Sequence, residues 1–76
     1  MYYVIAEYPL EQMEAVQTVI DEVADSFNVL YDSGAGFGIR DVAFYTEDES
    51  EAWEILSFLR VCNPEPTNDA IEYWED

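Results

Sequence analysis

Apolar positions change period repeatedly along this chain, and each change marks an element. "YYVIAEY", Tyr2 to Tyr8, is short, β-branched and aromatic, which reads as a strand. After Pro9 the period lengthens. Leu10, Met13, Val16, Val19, Ile20, Val23 and Ala24 recur at steps of three and four, predicting a helix that ends at Phe27 and Asn28. "NVLYDS" reads as a second strand, "GAGFG" as a turn, and "IRDVAFYTE", Ile39 to Glu47, as a third strand. A second helix then starts at Thr46 or Asp48. Both Thr46-x-x-Glu49 and Asp48-x-x-Glu51 have capping-box spacing. Its inward residues are Ala52, Ile55, Leu56, Leu59 and Cys62, and Pro64 and Pro66 stop it. "AIEYWE", Ala70 to Glu75, alternates as a last strand.

The order βαββαβ predicts an α+β, ferredoxin-like fold: a four-stranded antiparallel sheet with two helices on one face. Residues 1–76 are read as a single acidic domain with one small core. Without the last strand, the expectation becomes a three-stranded α+β sandwich with an acidic tail.

Composition sharpens the picture. Half the residues are hydrophobic and 16% are aromatic, so the chain is expected to fold despite its acidity. The formal net charge is −16, with two Lys+Arg, both arginines, and no His. Nucleic acid and anionic membranes are excluded as direct partners, because almost nothing is present to neutralise phosphates. The lone Cys62 rules out an internal disulfide and fits a reducing cytoplasm. "MYYVIAEYPL" shows neither a basic leader region nor a long apolar run, so neither a signal peptide nor a membrane span is expected.

The acids are not mixed with bases. On a helical wheel Glu11, Glu14, Asp21, Glu22 and Asp25 share an arc of about 100° opposite the apolar residues, over about 21 Å of axis. Ordinary solvated helices interleave Lys with Glu at i,i+4 for a few tenths of a kcal/mol per pair. This helix forgoes that. "TEDESEAWE" adds Glu47, Asp48, Glu51 and Glu54 from the second helix. Part of that second cluster is plain helix chemistry, since acids in a first turn suit the positive end of the dipole. Together the two sets approach the charge spacing of duplex DNA, one phosphate per ~1.7 Å of axis.

Other constellations point away from catalysis. Gly34-x-Gly36-x-Gly38 is followed by a strand rather than a helix N-terminus, so it reads as a hairpin turn and not a phosphate loop. Without His, and with one Cys, no zinc or iron set exists, and no EF-hand pattern is present. No nucleophile has a base beside it. No enzyme activity, metal or cofactor is expected. If Val42 and Phe44 face the helices, Asp41, Ala43 and Tyr45 lie on the open sheet face, with Glu72 and Trp74. Aromatics among acids suit a protein interface, where aromatics anchor and charges steer.

In size, charge and aromatic content the chain resembles the small, highly acidic phage-encoded DNA-mimic inhibitors of the anti-CRISPR and anti-restriction type. That resemblance implies an inhibitor whose carboxylates stand in for the DNA phosphate backbone. It would occlude the basic nucleic-acid-binding surface of a bacterial defence complex, with a CRISPR effector subunit as the favoured partner, in the cytoplasm of the host bacterial cell. The expected partner-binding residues are Glu11, Glu14, Asp21, Glu22, Asp25, Glu47, Asp48, Glu51, Glu54, Tyr45 and Trp74. The alternative is a non-catalytic, dimeric ferredoxin-like binding or regulatory domain that uses its sheet-face aromatics. An even scatter of carboxylates around the molecule would remove the basis for the mimic reading.

Overall fold

A computed structural model describes residues 1–75. The elements are β1 (Tyr2–Pro9), a 3-10 turn (Leu10–Gln12), α1 (Met13–Phe27), β2 (Tyr31–Gly36), β3 (Ile39–Thr46), α2 (Glu49–Val61) and β4 (Asn68–Tyr73). The strands form one sheet in the order β2-β3-β1-β4, and every neighbouring pair is antiparallel. β1 and β2 are therefore parallel to each other with β3 between them. β3 and β4 are likewise parallel, with β1 between. Each helix is the crossover of one such split pair, so α1 and α2 run in opposite directions. The last strand exists, so the three-stranded alternative falls away.

Alternation assigns the two sheet faces. Val4, Ala6 and Tyr8 of β1 and Val42 and Phe44 of β3 are buried. Register pairs Val4 with Phe44 and Ala6 with Val42, so these residues share one face. Both helices cover it. Val16, Val19, Ile20 and Val23 of α1 and Ala52, Ile55, Leu56 and Leu59 of α2 join them in a single core. Full burial of each larger aliphatic or aromatic side chain contributes about 1.5–3 kcal/mol. Phe27, the last residue of α1, meets Phe58 of α2 edge-on, with ring centroids 6.0 Å apart. That contact sets the end of α1 against the C-terminal part of α2.

The structure corrects three local readings. The first helix does not run regularly from Leu10. Its opening three residues form a 3-10 turn, which advances about 120° per residue rather than 100°. The phase slips, and Met13, expected inward, is 45% exposed. Next, Gly34 and Gly36 are strand residues of β2. The hairpin turns on Phe37 and Gly38 alone, at φ 55° and 77°. Two positive φ values are what a two-residue turn needs to match strand twist, and Phe37 adopts one while standing fully exposed at the tip. Finally, β4 begins at Asn68, before Ala70, and ends at Tyr73. Trp74 continues its pairing by donating its backbone N–H to the Met1 carbonyl at 3.0 Å. Elsewhere the terminators behave as expected. Asn28 closes α1 in the left-handed conformation, where asparagine is tolerated.

Candidate partner-binding surfaces

The acids at the start of α2 are held by the fold itself. Asp48 caps the helix, its Oδ1 accepting the Ser50 N–H at 2.9 Å. Neither expected capping box closes. The buried Thr46 hydroxyl instead accepts the Asp48 N–H at 3.1 Å and donates to Glu51 Oε1 at 2.7 Å. Glu49 accepts the Tyr2 hydroxyl at 3.0 Å, and this bond raises the Tyr2 pKa. Asp48 and Glu51, both expected to be partner contacts, thus have internal work. Glu47 and Glu54 are exposed and make no side-chain hydrogen bond or ion pair among the described residues.

The α1 acids have no such explanation. Glu11, Glu14, Asp21, Glu22 and Asp25 are all exposed. Glu11 lies in the 3-10 turn, so its place on the wheel shifts, although it stays on the surface beside Glu14. Asp21 accepts a hydrogen bond from the Gln17 amide at 2.8 Å. Glu22 sits near Cys62, whose thiol pKa is raised by burial first and by that carboxylate second. Asp25 occupies the last turn of α1, which holds no basic residue. A carboxylate there faces the negative end of the helix dipole, at a cost of about 0.3–1 kcal/mol.

The two arginines relieve almost none of this crowding. Arg40 donates from Nε to Ser33 Oγ at 3.1 Å, from one terminal nitrogen to the Met13 carbonyl at 3.3 Å, and from the other to Gln17 Oε1. Each of its partners is neutral. Arg60 grips Asp69 with two bonds of 3.0 Å, and this holds the Asp69 carboxyl below its usual range. It is the sole ion pair among the described residues.

The open sheet face carries its own acids, which the helix wheel could not show. Register sets Tyr3 opposite both Tyr45 and Glu72, Ile5 opposite Ala43 and Ala70, and Glu7 opposite Asp41 and Asn68. Asp32 of β2 lies beside Ala43. Tyr3 and Tyr45 meet edge-on at 5.2 Å. Trp74, 59% exposed, donates its indole N–H to Glu72 Oε1 at 3.1 Å. Tyr45 and Trp74 therefore belong to this face, separate from the α1 acids. The expected site residues do not converge on one patch. They form two anionic surfaces, one on the helix layer and one on the open sheet. Of the second, Tyr3, Ile5, Glu7, Asp32 and Ala70 escaped the sequence reading, because only strand register brings them together.

Beneath these surfaces, Tyr8 is 0% exposed and its hydroxyl has no hydrogen-bond partner among the described residues. Burial pushes its pKa up to about 12. Among the described residues no group of three or more His, Cys, Asp or Glu is placed to hold a metal ion, and no helix is long and apolar enough to cross a membrane. Compared with known protein families, curated proteins and solved structures, the chain matches none.

Proposed function

We propose that this protein is an inhibitor that mimics the DNA phosphate backbone and occludes the basic nucleic-acid-binding surface of a bacterial defence complex. An anti-CRISPR role is favoured over anti-restriction because that class is common. One observation carries the reading. The α1 carboxylates are exposed, unopposed and, at Asp25, on the unfavourable end of their helix, while both arginines are engaged within the fold. Such a surface opposes folding and attracts a cationic groove. It predicts fast association that weakens steeply with salt. The contact set is Glu11, Glu14, Asp21, Glu22 and Asp25 with Glu47 and Glu54, and Asp48 and Glu51 serve mainly the helix start.

The proposal includes a ferredoxin-like fold. The βαββαβ order, the two split parallel pairs and the helices on one face support it.

The test is the double reversal Glu14→Lys with Glu22→Lys. Both side chains are exposed, so the fold should survive, as a circular dichroism spectrum and melting curve would show. Inhibition of duplex-DNA binding by a purified CRISPR effector complex should be lost. A correctly folded double variant that inhibits as well as the parent would defeat the assignment.

A further inference from the structure

We infer that the open sheet face is a docking surface for an arginine-bearing segment of a partner protein. Three rows cross the sheet there. An aromatic row joins Tyr3 and Tyr45. A middle row of Ala70, Ile5 and Ala43 is low and aliphatic. A carboxylate row holds Glu7 and Asp41. Successive rows are two residues apart along each strand, about 6.8 Å. The aliphatic middle is thus a trough between an aromatic ridge and an acidic one. Its β1–β4 side opens into a depression of about 280 Å³ bordered by Ile5, Glu7, Asn68, Asp69, Ala70 and Glu72.

This profile matches the parts of one arginine side chain. The methylene stem lies along apolar surface, as long cationic side chains do. The planar guanidinium then reaches a carboxylate on one side or an aromatic face on the other. The partners on the page keep the acids in position for it. Glu7 Oε1 accepts the Asn68 amide at 3.0 Å, Asp41 Oδ1 accepts the Gly34 N–H at 3.0 Å, and Glu72 is held by Trp74. Each of these carboxylates keeps lone pairs for a further donor.

Charge selects the occupant. Glu7, Asp32, Asp41 and Glu72 lie on this face against a single cation at its end, the Met1 ammonium that donates to the Trp74 carbonyl at 3.1 Å, while Arg40 and Arg60 are bound on the helix side. A second copy stacked face to face would set the same acids against one another. A cationic partner gains from every one of them. The surface does not depend on the α1 stripe, so it stands whether or not DNA mimicry by that helix is upheld.

The experiment titrates the protein with a synthetic arginine-rich peptide and with its lysine-for-arginine counterpart at physiological salt. Amide chemical shifts locate the binding and also give the affinities. The expected result is perturbation of Ile5, Ala43, Tyr45, Ala70 and Trp74, with the arginine peptide bound at least about threefold more tightly. Ala70→Lys, which places a cation in the trough, should abolish that preference, and Ala70→Glu should keep it. The Glu14→Lys, Glu22→Lys variant should still show the sheet-face shifts, which separates this inference from the helix assignment. Shifts confined to α1, equal affinity for the two peptides, an Ala70→Lys variant that binds normally, or self-association through this face in sedimentation would each overturn it.

Discussion

Replacing Asp25 with lysine should make the isolated protein more stable. Asp25 is exposed in the last turn of α1, three residues after Glu22 and four after Asp21. Its carboxylate opposes the negative helix end by about 0.3–1 kcal/mol, and a lysine there gains a similar amount, so reversal changes this interaction by about 0.6–2 kcal/mol. The two like-charge pairs each cost about 0.2–0.5 kcal/mol and become attractive, in the favourable orientation with the acid before the lysine. Solvent screens all of these charges. Unscreened, these changes sum to about 1.4–4 kcal/mol, and screening at exposed sites lowers the expected gain to about 1–1.5 kcal/mol at low ionic strength. For a domain of this size, that is a rise in Tm of about 4–10 °C. Thermal unfolding followed by circular dichroism, in dilute buffer and again in about 1 M salt, measures it, because the Debye length falls to about 3 Å at 1 M. Asp25→Asn should give roughly half the effect. A Tm that is unchanged or lower in dilute buffer would refute the argument that this acid is kept at the expense of the fold. So would a gain that persists undiminished in high salt.

Two further outcomes test the interior and the ion pair. Tyr8→Phe removes a buried hydroxyl that has no partner among the described residues, so the variant should be more stable by about 1 kcal/mol in urea unfolding, and a loss of stability would show that the hydroxyl is satisfied. Arg60 lowers the Asp69 pKa, so the folded protein binds fewer protons than the unfolded one near the carboxylate range. The stability from this pair is therefore present above pH about 4 and lost as pH falls through the lowered folded value. Asp69→Asn should be less stable near neutrality and decline less on acidification, and an unchanged pH slope would contradict the assignment.

Local chemistry made much of the fold legible. Asp48 announces α2 because a short acceptor before an acidic turn satisfies free N–H groups. Val16, Ile20 and Val23 mark the core face of α1 by spacing alone. The failures share a cause: each depended on geometry that spacing does not encode. Gly34 and Gly36 look like punctuation, yet the turn fell on Phe37, a residue with no sequence preference for positive φ. The 3-10 turn slipped the phase of Met13. On the candidate surfaces, exposure of the α1 acids followed from the wheel. On the open sheet, alternation already placed Asp41 and Glu72, whereas Glu7 and Asp32 did not follow, because they are far from those acids in sequence and join them only through strand pairing.

The β2 edge has a consequence for handling. Its run Ser33-Gly34-Ala35-Gly36 presents a nearly bare, unpaired backbone edge without the lysine or proline that commonly discourages strand addition. Long-range repulsion between copies supplies the missing guard. Concentrated salt or mild acid, which would calm the crowded surface, also removes that guard and invites edge-to-edge stacking into aggregates. Dilute, near-neutral buffer is the storage condition this edge demands.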